Sequence, residues 1–430
     1  MRVWQFSEMP YTPAWSLDTE SLRVTLPNSN YDPKLGAEIY RKQFENYLLA
    51  DDLGFDLMSN EHHSTATCLQ ASTSVILSSL ARTTRNARLL SLGNPIANRP
   101  DPVRVAEEMA MIDNMSGGRL EVGLIRGTPA ELSSVNANPA RMVDRFWEAH
   151  DLILKAWTSH DGPFNWEGEF FQHRQVNIWP PPFQRPTPPV WVTVGSASTA
   201  RRVADEGHVI ATLLGGYSSR STFDAYRART LELGRPYPKS DRFGYLALVS
   251  VGATDEAGLE RARLMQPHLD VSLLMPQQFL NPPGYAPVEA NVAALKRGAN
   301  GSLSTHQQVG TGEGKEVMTG KKLPSLASVK RSMDKGLLFA GSPDSVLRQL
   351  TDFSRAMGGI GHLLMLGHAG YMTFEDVADN IRLFGKEVLP ALRELPEVEE
   401  AELATKRELP EAKEAELAAE GDQRLRRTVP

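Results

Sequence analysis

Apolar, strand-like runs alternate with amphipathic, helix-like segments along this chain, and this alternation limits the folds that it can adopt. The strand-like runs are residues 3–6, 55–59, 87–92, 120–125, 190–194, 209–214, 245–251 and 363–366. Helical patterns follow them, for example at 35–53, 141–158 and 374–388. Eight strand–helix pairs predict an α/β fold, a (β/α)8 TIM barrel over residues 1–390. A doubly wound parallel sheet is the alternative, but its usual glycine-rich loop after the first strand is missing here.

Three regions are not part of the plain barrel pattern. Residues 164–189 read as a hairpin followed by a proline-rich connection, and residues 252–338 form a long insertion before the last strand. Within that insertion, residues 297–320 are rich in Gly and Ser, which is typical of a mobile lid. Residues 391–430 form a charged tail with a 14-residue tandem repeat, 393–406 and 407–420, identical at ten positions. We expect a solvated helix or disorder there rather than a coiled coil.

Charge and cysteine content exclude several classes of protein. The net charge is −6, so nothing draws the chain as a whole to nucleic acid or to an anionic membrane. Cys68 is the only cysteine, which rules out an internal disulfide. No apolar run approaches the roughly 18 residues of a membrane span. The first strand begins at once and leaves no room for a signal peptide, so we expect a cytoplasmic protein.

The segment Glu61-His62-His63 follows the second predicted strand directly. Carboxyl ends of barrel strands open onto the active site, and histidine is the side chain best suited to proton transfer near neutral pH. A surface loop or a structurally satisfied pair is the alternative. Adjacent strand residues face opposite sides, so His62 and His63 are not expected to share one metal ion, and no other metal motif occurs.

Two other strand ends suggest an anion site. Gly195-Ser196-Ala197-Ser198-Thr199 opens a helix after the fifth strand, where backbone N–H groups and hydroxyls suit a phosphate. Arg126 follows the fourth strand and could add a bidentate contact. Ordinary helix capping by Ser196 and a surface salt bridge at Arg126 explain the same residues equally well.

Gly93-Asn94-Pro95 interrupts the apolar pattern at the end of the third strand. Glycine there permits close approach to a flat ligand or an unusual backbone geometry, and a simple turn is the alternative. Cys68, near the start of a predicted helix, could be an activated thiol, although buried packing is the commoner role of a lone cysteine. No G-x-S-x-G sequence supports a serine nucleophile.

Taken in order, these residues resemble the bacterial luciferase-like family of flavin-dependent monooxygenases. The similarity covers residues 1–250 and 339–390. Its motifs are Glu61-His62-His63, Arg99 to Arg104, Ile112 to Gly123, and Gly195 to Thr199. The resemblance implies a TIM barrel that binds reduced FMN, or deazaflavin F420 in some branches, at the C-terminal strand ends.

By the same resemblance, His62 matches the catalytic histidine, and Arg126, Ser196 and Thr199 match the phosphate ligands. Gly93 and Asn94 match the place of a non-prolyl cis peptide beneath the flavin ring. Luciferase has a cysteine where this chain has Ile125 and a glutamate where it has Gly195, so a general two-component monooxygenase is expected.

We therefore expect FMNH2 from a separate reductase, and O2, to oxygenate a small organic substrate through a flavin C4a-hydroperoxide. The resemblance leaves two alternatives open: an F420-dependent hydride-transfer enzyme and a silent flavin-binding protein. A homo-oligomer without nucleic-acid or membrane partners is expected.

Overall fold

The computed structural model describes residues 1–17, 19, 21–271, 279, 281–286, 288, 292 and 322–395 of the 430-residue chain. Within this part, eight parallel strands close into a barrel, as predicted. The barrel strands are β1 (Arg2–Ser7), β2 (Asp56–Ser59), β3 (Leu89–Pro95), β4 (Leu120–Ile125), β7 (Val190–Thr193), β8 (Val209–Leu213), β9 (Phe243–Val251) and β11 (His362–His368). Hydrogen bonds between β11 and β1 close the ring, with Val3 opposite Leu363.

Helices cover the outside of the barrel. Between β1 and β7 lie α1 (Pro33–Asp52), α2 (Thr73–Thr83), α3 (Pro102–Ser116), α4 (Pro129–Ser134) and α5 (Met142–Thr158). The later helices are α6 (Ala197–Glu206), α7 (Ser219–Glu232), α8 (Asp255–Met265), α9 (Pro267–Val271), α10 (Leu326–Asp334), α11 (Pro343–Ala356), α12 (Phe374–Leu383) and α13 (Leu389–Arg393). A π-helical turn, Phe384–Val388, joins the last two. None of the described helices is long and apolar enough to cross a lipid bilayer.

Local sequence accounts for several helix ends. The Asp101 side chain accepts the backbone N–H of Val103 at 2.9 Å, and Pro102 occupies the first turn of α3. This arrangement satisfies an N–H group that the helix itself leaves unpaired. The same helix ends at Gly117, whose φ is 64°.

The predicted hairpin is present as β5 (Phe164–Glu167) and β6 (Gln172–Val176), which pair antiparallel. The proline-rich connection to β7 contains no helix or strand, as expected. One strand was not predicted: β10 (Leu338–Gly341) pairs in parallel with the end of β9 outside the closed ring.

Two predicted boundaries were displaced by tertiary contacts. Helix α2 begins at Thr73 rather than Leu69, because the Gln70 carbonyl, which a helix starting at Leu69 would use internally, accepts the N–H of His62 at 3.0 Å. Strand β3 continues past Gly93, and Asn94 pairs with Leu124 of β4 after a register shift. A backbone hydrogen bond to a distant strand is invisible to local periodicity.

Large aromatic side chains fill the barrel interior near the N-terminal ends of the strands. The rings of Trp4 and Trp191 lie 5.8 Å apart and perpendicular, and both contact His362. Because β1 and β7 are not neighbours in the barrel, these rings must meet through its interior. The packed base leaves the carboxyl ends of the strands as the open rim.

The predicted insertion and tail are described only at their edges. Helices α8, α9 and α10 occupy the two ends of the region 252–338, and residues up to Leu395 form one compact unit with the barrel. The predicted lid between these helices lies mostly outside the described residues, as does the repeat tail from residue 396. Both therefore stay predictions.

Candidate active site

The residues predicted for the site lie at the ends of four neighbouring strands. In the barrel order β2-β3-β4-β7, Ser59 pairs with Ser91, Asn94 with Leu124, and Leu124 with Val192. His62, Gly93 with Asn94, Arg126 and Ser196 each lie within three residues of such a strand end. Parallel strands present their carboxyl ends on one side, so all of these residues share one rim.

His62 is held by a carboxylate that the sequence analysis missed. Its Nδ1 lies 3.0 Å from Oε1 of Glu131, and the two side chains are 17% and 5% exposed. Glu131 belongs to α4, where its other oxygen, Oε2, accepts the N–H and the hydroxyl of Thr128 at 2.9 and 2.7 Å. Thr128-Pro129-Ala130-Glu131 is a capping box, so the helix cap fixes the carboxylate that orients the histidine.

The charge on Glu131 decides the tautomer of His62. Burial raises the pKa of the Glu131 carboxyl, but the hydrogen bond and the charge of His62 outweigh burial, and the pKa ends well below its usual range. The carboxylate is therefore an acceptor, and Nδ1 of His62 carries the proton that it donates. In the neutral ring, Nε2 is then the nitrogen available to accept a proton.

His63 contacts a different carboxylate. Its Nε2 lies 3.1 Å from Oε1 of Glu61, which is fully buried and also accepts a guanidinium N–H of Arg99 at 2.5 Å. The second oxygen of Glu61 accepts the N–H of Thr73 at 3.2 Å. The hydrogen bond to Glu61 raises the pKa of His63 above its ordinary value, although burial opposes this. This network ties the end of β2 to the start of α2 and to the segment before α3.

Glu8 and His268 add buried polar groups to the same region, and neither was singled out from the sequence. Glu8 follows β1, is 8% exposed, and its Oε2 has no hydrogen-bond partner among the described residues. Burial raises the pKa of Glu8, but the charges of His62, His268 and Arg23 outweigh it and lower the pKa overall. His268, in α9, is 3% exposed, and burial lowers its pKa. Unpaired buried groups of this kind suit hydrogen bonding to a small ligand.

Cys68 takes the structural role, which was the commoner of its two interpretations. It is 2% exposed, and its Sγ lies 3.5 Å from Oδ1 of Asn60. Burial raises the pKa of the thiol well above its usual value, with the charge of Glu8 acting in the same direction. A thiol in this state is not an activated nucleophile.

A non-prolyl cis peptide joins Leu92 to Gly93, next to the predicted pair Gly93-Asn94. A Cβ at position 93 would stand 2.8 Å from the Gly123 carbonyl oxygen and from Cγ2 of Ile125, so only glycine fits against β4. The Asn94 amide is buried and donates to Ser91 Oγ at 2.7 Å and to the Gly123 carbonyl at 3.2 Å. The Asn94 side chain is thus used within the barrel wall, and its backbone carbonyl accepts the N–H of Ile96 at 2.9 Å.

Arg126 and the start of α6 form the predicted anion end. Ser196 caps this ten-residue helix, with its hydroxyl 3.1 Å from that of Ser198 and 3.0 Å from that of Thr199. Ser196 is exposed, and no atom lies within 4 Å of where a Cβ on Gly195 would stand. In the described part of the chain, Arg126 forms no ion pair with a carboxylate, unlike Arg99. A cluster of hydroxyls, a helix N-terminus and a guanidinium that has no carboxylate partner among the described residues fit a phosphate group.

A cleft of about 520 Å³ lies at the opposite end of the barrel, lined by residues such as Arg2, Asp52 and Asn86. Next to it, the Asp51 carboxylate accepts the N–H groups of Arg85, Asn86 and Ala87 at 2.7–3.1 Å, which is a structural use of the charge. The catalytic chemistry predicted from sequence lies at the other rim. The described residues include no cluster of three or more ligating side chains for a metal.

Comparison with known proteins agrees with the barrel fold and identifies the family. The sequence model of a family described as "Luciferase-like monooxygenase" matches residues 24–359. A flavin-dependent trigonelline monooxygenase, oxygenase component, from Acinetobacter baylyi is 28% identical over 37% of this chain and 45% of its own length. An FMNH2-dependent dimethylsulfone monooxygenase from Pseudomonas putida is 24% identical over 70% of this chain and 74% of its own length. The chain spans about half the length of several curated relatives that it matches.

Solved structures share the fold at lower sequence identity. The oxygenating constituent of 3,6-diketocamphane monooxygenase from Pseudomonas putida, in complex with FMN, has a TM-score of 0.63 and is 18% identical, covering 92% of this chain and 99% of that chain. An F420-dependent secondary alcohol dehydrogenase has a TM-score of 0.59 at 20% identity, covering 83% of this chain and 96% of that chain. These likenesses concern the fold and do not separate the two cofactors.

Proposed function

Because this chain belongs to the luciferase-like monooxygenase family, a family of flavin-dependent oxidoreductases, we propose that it is the oxygenase component of a two-component system. It binds FMNH2 from a separate flavin reductase and uses O2 to oxygenate a small organic substrate. The observation that carries this proposal is the His62–Glu131 pair on the same rim as Arg126 and the N-terminal end of α6. A proton-transfer group and a phosphate site are the two protein features that such a reaction needs.

In this proposal the rim divides into two parts. Arg126, Ser196 and Thr199 hold the phosphate of FMN, and the backbone at Gly93 and Asn94 supports the ring. His62 exchanges a proton through Nε2 with the reacting atoms, while the anionic Glu131 holds its Nδ1–H. Glu131 is therefore a positioning residue, comparable in role to the carboxylate that orients a catalytic histidine elsewhere.

The bound flavin supplies the electrons that activate O2, and the C4a-hydroperoxide route expected from the resemblance belongs to this proposal. The overall reaction balances as substrate, O2 and FMNH2 giving oxygenated substrate, FMN and water. The protein contributes binding, orientation and exclusion of bulk water. The unpaired Oε2 of Glu8 and the buried His268 are polar groups available to the substrate.

The partners and location of the protein are also proposals. The trigonelline enzyme is named as an oxygenase component and the dimethylsulfone enzyme as FMNH2-dependent, which supports a reductase as the FMNH2 donor. Those two substrates are chemically unlike, so the class proposed here stays a small organic molecule. A homo-oligomer in the cytoplasm remains our expectation.

The cofactor is tested by presenting the purified chain with FMNH2 and with reduced F420 under anaerobic conditions, and then admitting oxygen. We expect FMNH2 to be bound and oxidised, and substrate from a panel of small organic molecules to raise oxygen consumption while lowering hydrogen peroxide release. His160→Ala is the control variant for replacement of a histidine, because His160 is exposed and distant in sequence from every strand end of the site. Selective use of reduced F420 would replace this proposal with hydride transfer, and FMN binding without oxygen consumption would indicate a silent flavin-binding protein.

A further inference from the structure

The guanidinium of Arg126 lies over an aromatic ring from the insertion that follows β9. Its Cζ is 4.1 Å from the centroid of the Tyr285 ring, and the Tyr285 hydroxyl is 3.4 Å from the Gly127 carbonyl oxygen, to which it donates. Both side chains are half-buried. Tyr285 thus contacts both the arginine and the backbone directly after it.

The local sequence explains why Tyr285 lies there. Pro282-Pro283-Gly284-Tyr285 is a turn in which the Tyr285 N–H bonds to the Pro282 carbonyl at 3.0 Å. Proline at the second position and Gly284 with φ of +83° at the third are the signature of a type II turn. A Cβ on Gly284 would stand 2.9 Å from Cβ of Ala140, so the turn packs closely against the segment before α5.

Tyr285 presents a ring rather than an oxygen to Arg126. Its hydroxyl donates to the Gly127 carbonyl oxygen, and within the described residues Arg126 makes no hydrogen bond, so its five guanidinium N–H donors stay available to a ligand. Tyr285 therefore fixes the orientation of Arg126 without occupying the groups that would bind a phosphate. A side chain that is already oriented loses less conformational entropy when it binds.

We infer that Tyr285 is a positioning residue for the phosphate end of the flavin, acting through Arg126. This inference rests on the proposed function, because it assigns Arg126 to the phosphate. It predicts that Tyr285 affects ligands that carry the phosphate and has no effect on riboflavin, which lacks it.

The test measures dissociation constants of oxidised FMN and of riboflavin by titration, for wild type, Tyr285→Phe and Tyr285→Leu, each also in an Arg126→Ala background. Tyr285→Leu is expected to weaken FMN binding roughly fivefold, the scale of the entropy cost of immobilising one long side chain on binding, and to leave riboflavin binding unchanged. Tyr285→Phe keeps the ring and should stay within about twofold of wild type. In the Arg126→Ala background, Tyr285→Leu should have no further effect. Melting temperatures establish that each variant is folded.

The possible failures are distinguishable. If Arg126→Ala weakens FMN but Tyr285→Leu does not, the inference about Tyr285 is wrong and the phosphate site stands. The tyrosine does not act through the arginine if Tyr285→Leu weakens the binding of FMN and of riboflavin equally. The same conclusion follows if Tyr285→Leu weakens FMN binding as much in the Arg126→Ala background as in wild type. If Arg126→Ala leaves FMN binding unchanged, the phosphate site and the role of Tyr285 are both overturned.

Discussion

Replacement of Glu131 by glutamine removes the charge that orients His62 and keeps the shape of the side chain. In the structure, Oε1 accepts from Nδ1 of His62 at 3.0 Å and from the backbone N–H of His63 at 3.3 Å. Oε2 accepts two donors from Thr128. All four partners are donors, so the amide N–H2 of a glutamine must face donors on one side or the other.

The size of the effect follows from these hydrogen bonds. A hydrogen bond to a charged group contributes about 1.5–3 kcal/mol and a neutral one about 0.5–1.5 kcal/mol. The difference, about 1–1.5 kcal/mol, corresponds to a roughly tenfold lower kcat if His62 must be oriented in the transition state. FMN affinity should change little, because the hydrogen bonds of the Glu131 side chain go to His62, His63 and Thr128 and not to the phosphate residues. Stopped-flow turnover and FMN titration measure the two quantities separately.

The same substitution changes the pH dependence of stability. The pKa of Glu131 is depressed in the folded protein, so the ionised carboxylate stabilises the fold fully above the ordinary glutamate pKa of 4.5. This contribution to the free energy of unfolding is lost as the pH falls below 4.5. Glu131→Gln should therefore lower stability at pH 7 and make the acid-side loss shallower. Glu45→Gln is the control, because Glu45 is exposed in α1. A kcat within twofold of wild type would refute the positioning role of Glu131.

Two further predictions concern the phosphate and a histidine pair outside the site. Arg126→Ala should weaken FMN binding by about 1.5–3 kcal/mol, and Ser196→Ala by less, without changing riboflavin affinity. Equal losses for both ligands in a titration would contradict the assignment of these residues to the phosphate. Nε2 of His150 and Nε2 of His208 lie 2.8 Å apart, and burial, followed by the charge of His150, lowers the pKa of His208 to about 3. Below pH 6.5 the unfolded chain binds a proton at His208 that the folded protein does not bind. The free energy of unfolding therefore falls as the pH drops from 6.5 toward 3, by up to about 1.4 kcal/mol per pH unit. Denaturant unfolding of His208→Gln should show a flatter profile between pH 6.5 and 4 than wild type; an identical profile would exclude this effect.

The barrel was predictable because its strands are buried on both faces. Phe243–Val251 is buried at every position, and such a run between two helical patterns has few other interpretations. Strand β10 was missed because four apolar residues, Leu338–Gly341, give too short a signal. The start of α2 was misplaced because the hydrogen bond from the His62 N–H to the Gln70 carbonyl is invisible to helical periodicity.

The rim was predictable only for residues close to the end of a strand. His62, Arg126 and Ser196 each lie within three residues of such an end, so topology alone places them on one rim. The T-x-x-E pattern from Thr128 to Glu131 was visible as a helix cap, but its spacing cannot reveal a contact with His62, 69 positions away. The contact of Tyr285 with Arg126 joins residues that are even farther apart in the sequence, so it was missed for the same reason.

The most direct test of the proposed oxygenase is the turnover of His62→Ala with FMNH2, O2 and an accepted substrate, measured beside its FMNH2 affinity. We expect turnover to fall by about 10²–10⁴, the range for loss of a general acid–base group, with FMNH2 bound nearly as tightly as by wild type. His63→Ala should be affected less, because the His63 side chain contacts Glu61, and only its backbone N–H, which the substitution keeps, bonds to Glu131. Turnover of His62→Ala within threefold of wild type would contradict the central role given to this histidine.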